Sequence, residues 1–166
     1  IVNSLRFNQT GSTSLTLANG FVVATGGILV TSAVGQNPIT ISGGNLTSNV
    51  NTNVMQGGLG SDRTATQLYA GDLVLNQYNK FGAVTLASTI TNSSSTLTTA
   101  FVKTGDGALF LTGENSYTGP TFLLGGVTNI SKNSNLGSPA AGSTATTNGM
   151  IYINQATLRV LDDVGF

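Results

Sequence analysis

The chain has 166 residues, a formal net charge of zero and only 7% charged residues, so nucleic acids and anionic membrane surfaces are poor candidate partners. It contains no cysteine and no histidine, which excludes thiolate nucleophiles, imidazole bases and Cys/His metal sites. A hydrophobic share of 39% at zero net charge argues against disorder and predicts a folded core.

Short stretches of alternating apolar and polar residues recur along the chain and predict half-buried β-strands, because strand side chains point to opposite faces with period two. Strong helix formers are scarce and no helix is predicted. Glycine and asparagine, which tolerate positive φ, supply the turns between strands. In chain order, the predicted strands cover residues 4–8, 14–18, 72–76, 83–86, 108–112, 150–153 and 157–160, and turn signals lie at 19–20, 26–27, 43–44, 57–58, 125–126 and 148–149.

The composition favours a parallel β-helix, that is, a β-solenoid. Coils of a solenoid stack about 4.8 Å apart, and Asn, Ser and Thr side chains can form ladders along its turns. This chain is rich in those residues and has only 3 prolines, whereas a β-sandwich usually protects its edge strands with Pro and Lys. An antiparallel β-sandwich remains the alternative, since a Thr/Asn/Gly-rich sandwich would have similar statistics.

One stretch resembles a known repeat. Residues 103–121 read K-T-G-D-G-A-L-F-L-T-G-E-N-S-Y-T-G-P-T and match every fixed position of K-x-G-x-G-x-L-x-L-x-G-x-N-x-Y-T-G-x-T. This pattern is typical of the autotransporter-associated β-strand repeat, also called the passenger-associated transport repeat. The match is best over residues 101–131, residues 135–138 resemble the loop that usually follows, and residues 4–8 and 26–32 resemble preceding coils.

The resemblance implies a right-handed parallel β-helix in the exported part of a bacterial surface protein, and the hand agrees with the general preference of parallel crossovers. We expect Leu109 and Leu111 to enter the core and Asn115 and Tyr117 to bond or pack across neighbouring coils. Corners are expected at glycines 105, 107, 113 and 119. Residues 1–166 are interpreted as a single solenoid segment of a larger secreted protein, since the chain starts without Met inside a predicted strand.

The strand register after Gly125 is left open by the sequence. The repeat usually places a polar residue and then an apolar one after the glycine at position 126, whereas Val127 here precedes Thr128. A slip of one residue exchanges the two faces of a strand. The strand therefore either starts one residue early or contains a bulge.

Two motifs invite a metal site. Residues 57–62, G-G-L-G-S-D, match the start of a calcium-binding nonapeptide, but there is one copy and Thr64 stands where a large apolar residue belongs, so a glycine-rich turn is favoured. Asp162 and Asp163 are adjacent, and neighbours on a strand face opposite ways, so a solvated loop is favoured. No metal or other cofactor is expected.

Three further patterns could indicate a function, but each has a simpler explanation. Asp106 and Glu114 flank the Leu109 strand as paired carboxylates do in sugar-cleaving enzymes, but aromatic and basic residues for a sugar are few, so exposed turn residues are favoured and no catalytic residue is assigned. Four Asn-x-Ser/Thr matches begin at residues 8, 45, 92 and 129, as expected by chance in this composition. Tyrosines 69, 78, 117 and 152 could form a carbohydrate-stacking row, although packing across coils is favoured.

The sequence therefore predicts a non-enzymatic structural segment of an extracellular bacterial surface protein, such as a stalk that carries an adhesin. The alternatives are a self-assembling subunit of an extracellular fibre or sheath and, less favoured, a polysaccharide-processing enzyme on the same scaffold. Candidate partners are flanking coils of the same polypeptide, further copies of itself, surface glycans, and host or neighbouring cells. No apolar run reaches the roughly 18 residues of a spanning helix, so no membrane insertion of this segment is expected.

Overall fold

The computed structural model describes residues 1–23, 26–48, 71–94, 98–138 and 149–161, in which the chain forms fifteen short strands and two 3-10 turns but no α-helix. The 3-10 turns cover Ser32–Val34 and Asn133–Leu136. In chain order the strands are β1 Leu5–Phe7, β2 Thr13–Leu17, β3 Phe21–Val23, β4 Gly27–Val30, β5 Ile39–Gly43, β6 Asn45–Ser48, β7 Leu73–Gln77, β8 Val84–Leu86, β9 Thr89–Ile90, β10 Phe101–Thr104, β11 Ala108–Leu111, β12 Thr121–Leu123, β13 Gly126–Ile130, β14 Ile151–Ile153 and β15 Ala156–Val160.

The strands build three parallel sheets. Sheet I has the order β1-β4-β7-β10-β12-β14, sheet II has the order β2-β5-β8-β11-β13-β15, and sheet III has the order β3-β6-β9. All twelve strand pairings among the described residues are parallel. The prediction of a parallel β-helix is therefore confirmed, and the antiparallel β-sandwich is excluded.

Each coil passes through sheet I, then sheet II, and then along the third side. On the third side, sheet III ends at β9 and the next coil continues as an irregular segment, in which the amides of Ser116 and Tyr117 donate to the Ile90 carbonyl at 2.9 and 3.2 Å. Coil length is not constant. Pairing joins Val84 to Leu109 and Leu109 to Thr128, so one coil takes 25 residues (109 − 84) and the next takes 19 (128 − 109).

The core is a narrow apolar interior, because inward positions of successive coils stack in columns. Leu109 and Leu111 have no exposed surface, while Phe110 between them is only half-buried, as the alternation predicts. Fully burying a leucine contributes about 1.5 to 3 kcal/mol, so the columns hold neighbouring coils together. Two columns are Ile39, Val84, Leu109, Thr128 and Leu158 in sheet II, and Leu5, Ile28, Leu75, Lys103, Leu123 and Ile153 in sheet I.

The register after Gly125 is regular. Strand β13 begins at Gly126 and pairs residue for residue with β15, without a bulge. Val127 is half-buried on the outer face, whereas Thr128 is fully buried beside Leu109 in the preceding coil. The backbone therefore keeps position 128 facing inward even though its residue is polar.

Candidate functional site

Lys103 lies in the inward column of sheet I between two leucines, and its side chain is fully buried. Its ammonium Nζ donates to the carbonyl oxygens of Gly105 at 2.6 Å, Gly107 at 2.6 Å and Gly125 at 2.7 Å. The first two carbonyls belong to its own coil and the third belongs to the next. An ammonium has three N–H donors, so all three are used, two within the coil of Lys103 and one to the next coil.

The buried ammonium has a perturbed acidity. Burial lowers the pKa of Lys103 from 10.5 to about 8, and the nearby carboxylate of Asp106 opposes that shift. The composition gave no sign of this cluster. The available signal was local, because Lys103 is both the first fixed residue of the repeat pattern and the third residue of an alternating strand whose first residue, Phe101, is buried.

Glycines are required around this lysine. Gly105 has φ +76°, and a Cβ there would lie 2.4 Å from the Gln77 carbonyl oxygen of the preceding coil. Gly126 has φ +62°, and a Cβ there would lie 2.6 Å from Lys103 Nζ. Any side chain at either position would therefore separate the stacked corners. We call the turn between a sheet I strand and the following sheet II strand the I–II corner.

The preceding coil fixes the same I–II corner with neutral side chains. Gln77 is fully buried, and its Nε2 donates to the carbonyl oxygen of Gly82 at 3.0 Å. Asn79 is also buried, and its Nδ2 donates to the Gly35 carbonyl at 2.7 Å, one coil earlier. Its Oδ1 accepts from the amide of Phe81 at 3.2 Å. The backbone of this turn is therefore bonded both within itself and to the preceding coil.

Asn115, which the sequence assigned to contacts across coils, makes them in both directions. Its Oδ1 accepts from the amide of Ile90 in the preceding coil at 2.7 Å, and its Nδ2 donates to the carbonyl of Asn135 in the next coil at 2.5 Å. Asn135 in turn donates to the Gly113 carbonyl at 2.9 Å. This prediction is confirmed.

Tyr117, which was predicted to bond or pack across coils, lies in the core and bonds through its backbone to both adjacent coils. Its ring is fully buried and lies 6.3 Å, centroid to centroid, from the ring of Phe101. The phenol oxygen is 2.6 Å from the hydroxyl of Thr121, so each of these two buried hydroxyl groups has the other as a hydrogen-bond partner. Burial raises the pKa of Tyr117 above its usual value, so the phenol stays neutral at physiological pH.

Asp106 and Glu114 are separated into two ion pairs. Asp106 pairs with Lys80 of the preceding coil at 2.8 Å, and Glu114 pairs with Lys132 of the next coil at 2.5 Å. A hydrogen bond and the charge of that lysine lower the pKa of each carboxyl, so both are ionised at neutral pH. Glycoside hydrolysis requires one carboxyl with a raised pKa as the proton donor. Neither Asp106 nor Glu114 therefore has the raised pKa that this chemistry requires.

The other candidate residues are dispersed. Tyr78 is exposed, Tyr117 is buried, and Tyr152 stacks on Phe122 of the neighbouring coil with ring centroids 4.9 Å apart, so these three tyrosines do not form one row. Among the four Asn-x-Ser/Thr matches, Asn8 and Asn45 are exposed, whereas Asn129 is buried. The 57–62 glycine turn with Thr64, Tyr69 and the pair Asp162 and Asp163 lie outside the described residues.

Within the described ranges, no group of three or more acidic side chains converges as metal ligands would. No helix in that part of the chain is long and apolar enough to cross a membrane.

Comparison with known proteins agrees with the repeat identified above. Residues 101–130 match the model of the passenger-associated transport repeat. The chain is also 28% identical, over 188 aligned positions that include 99% of its length, to the adhesin BmaC autotransporter of Brucella suis biovar 1 (strain 1330). That alignment covers 5% of the length of the Brucella protein, and no solved structure matches the chain. The resemblance seen in the sequence is confirmed: residues 101–130 carry a passenger-associated transport repeat within a parallel β-helix.

Proposed function

We propose that this chain is a structural segment of an extracellular bacterial surface protein, in which stacked coils form a stalk that holds another module away from the cell. The observation that carries the proposal is the way the coils are joined. The buried polar side chains Lys103 and Asn115 each bond to the backbone of an adjacent coil, so they serve coil stacking.

The exposed charges support the same role. Four of the charged side chains form ion pairs that bridge neighbouring coils, Lys80 with Asp106 and Lys132 with Glu114. Exposed ion pairs contribute little stability individually, but their placement at stacked corners suits a repetitive scaffold. The similarity of nearly the whole chain to part of an autotransporter adhesin supports a location at the bacterial cell surface.

A display experiment tests this function. The chain would be inserted between a surface-anchored bacterial β-barrel and a terminal epitope, and the epitope would be detected on intact cells. We expect the epitope to be displayed and the fifteen strands to resist external protease, because their backbone is paired along stacked sheets. Retention of the epitope inside the cell, or rapid cleavage within the chain, would contradict the proposal.

The enzymatic alternative is tested separately with purified protein and soluble polysaccharides in a reducing-sugar assay. We expect no release of reducing ends, since the two carboxylates flanking β11 are each bound to a lysine. Release that is abolished by Asp106→Asn or Glu114→Gln would show that the scaffold is an enzyme.

A further inference from the structure

Exposed large apolar side chains of the described residues fall mainly into two groups, one in the last described coil and one at an interior corner. Among the described residues, the large apolar side chains with high exposure are Ile1, several residues between 150 and 161, and three interior residues. Those three are Tyr78 at 53%, Phe81 at 72% and Leu124 at 41% exposure. All three lie at the I–II corner, in coils that have neighbours on both sides.

Stacking brings these residues together with one ion pair. Tyr78 packs on the next coil, since a Cβ at Gly105 would lie 3.1 Å from Tyr78 Cδ1. Lys80 reaches Asp106 of that next coil at 2.8 Å. Leu124 occupies the same corner one coil later, and its amide donates to the Lys103 carbonyl at 2.8 Å. We call this set the corner ridge: Tyr78, Lys80, Phe81, Asp106 and Leu124.

The ridge stands on a fixed backbone. Beneath its exposed side chains lie the buried Gln77, Asn79 and Lys103, each of which donates a hydrogen bond to the backbone of an adjacent coil. A surface that is ordered before binding loses little conformational entropy when a ligand arrives. Aromatic side chains that remain exposed to water on such an ordered backbone are more typical of a binding surface than of a packing defect.

The chemistry of the ridge selects a neutral ligand. Its single cation and single anion neutralise each other, so no charged partner is favoured. The apolar rings can stack on the C–H face of a sugar, while the Asp106 carboxylate accepts from hydroxyl groups and the Lys80 ammonium donates to them. The rings project into solvent. A linear polymer that contacts a few atoms on each coil therefore fits the ridge better than a protein partner, which would need a standard interface of about 800 Å² on each side.

We propose that the corner ridge binds a neutral, hydroxyl-rich polysaccharide, with sugar rings stacked on Tyr78 and Phe81 and hydroxyls hydrogen-bonded to Asp106 and Lys80. This binding site goes beyond the stalk function, because a stalk needs no ligand and the two can fail independently.

Affinity electrophoresis of the full chain tests the site, with native gels that contain hydroxyethylcellulose, galactomannan or a mixed-linkage β-glucan. We expect at least one of these neutral polymers to retard the wild-type chain. The double variant Tyr78→Ala/Phe81→Ala should lose at least fivefold of the apparent affinity, and retardation should persist at high salt, since the ligand carries no charge. Tyr152→Ala is the matched control, because it removes an exposed aromatic ring outside the ridge and should bind like wild type.

Three outcomes would overturn the proposal. They are absence of retardation by all three neutral polymers, equal retardation of the double variant and wild type, and retardation only by a polyanion such as alginate. Circular dichroism of each variant verifies that the β-helix is intact. Should the double variant unfold, the milder Asp106→Ala variant decides, since loss of the hydroxyl acceptor must still weaken retardation severalfold.

Discussion

Lys103 replaces the apolar residue that the other coils place at its column position. Its neighbours in the column are Leu75 and Leu123, yet it ends in a charge that binds backbone carbonyls at 2.6 to 2.7 Å. The aliphatic stem fills the core while the ammonium reaches the corner. One residue thus supplies both apolar packing and the hydrogen bonds that turn carbonyls would otherwise lack.

Removing that ammonium should weaken the junction between two coils. We expect Lys103→Met to lower the free energy of unfolding by about 2 to 4 kcal/mol, because buried carbonyls lose their donor while the stem volume is retained. Chemical denaturation followed by circular dichroism measures the change. Lys80→Met is the control, since Lys80 is exposed and should have little effect. Equal losses in the two variants would show that the carbonyl cage contributes nothing specific.

The acidity of two buried groups predicts the stability of the protein at alkaline pH. Native Lys103 has a pKa of about 8 instead of 10.5, so between those values the unfolded chain binds more protons and stability rises with pH. The rise is at most about 3 kcal/mol. Above pH 10 stability falls, because burial raises the pKa of Tyr117 and only the unfolded chain ionises there.

Unfolding free energies measured from pH 7 to 11 check this profile. We expect a maximum near pH 10 for the wild type and loss of the rising part in Lys103→Met, with the later fall unchanged. A wild-type profile that declines steadily from pH 8 would contradict the lowered pKa of Lys103.

At the scale of strands, alternation located strands of three to five residues but did not find all of them. Strands β2, β7 and β11 lie where the sequence predicted them. The pattern did not reveal the short strands β9 and β12, and it also missed β5 and β6, which have five and four residues. Such strands depend on pairing with the neighbouring coil, which one segment of sequence does not contain.

The facing of β11 gives a direct test of the core. Leu109→Asp would place a carboxylate between apolar neighbours and should destabilise the fold by more than about 4 kcal/mol. Phe110→Asp changes a half-buried outer position and should cost far less, within about 1 kcal/mol. Thermal unfolding of both variants distinguishes them. Equal shifts in Tm would mean that the two faces of β11 are equally packed.

Strand β13 offers a stabilising change. The hydroxyl of Thr128 is buried and has no hydrogen-bond partner among the described residues, although the residue stands in an apolar column. Thr128→Val keeps the shape and removes the unpaired polar group, so we expect the free energy of unfolding to rise by about 1 to 2 kcal/mol. Thr85→Val, on the outer face of β8, should change it by less than about 0.5 kcal/mol. Destabilisation by Thr128→Val would reveal a hidden partner of the hydroxyl.

For the whole molecule, the sequence predicted the architecture but not its coil lengths or its surface. Spacings between glycine pairs did not indicate the coil length, because Gly26 lies just before sheet I while Gly43 is the last residue of β5 in sheet II, so the two mark different corners. The grouping of Tyr78, Phe81 and Leu124 was equally inaccessible, since 46 residues separate positions 78 and 124. Stacking of coils places Tyr78 and Leu124 at the same corner, with the coil of β10 between them.

Nearest-neighbour stacking also predicts where the β-helix opens first. Strands β7 and β10 each pair on both sides and bury their inward side chains fully, whereas β14 has one partner among the described residues and its Ile151 and Ile153 are 44% and 50% exposed. In a solenoid, local stability follows the contacts with adjacent coils. Amide hydrogen exchange measured by mass spectrometry should therefore be slowest in peptides from β7 and β10 and at least tenfold faster in β14 and β15.

Lys103→Met should accelerate exchange in β10 and β12 more than in β1 and β2, because it loosens the junction between the fourth and fifth strands of sheet I. Uniform exchange across all coils, or acceleration spread evenly by the variant, would mean that the coils unfold as one unit and that no single junction controls them.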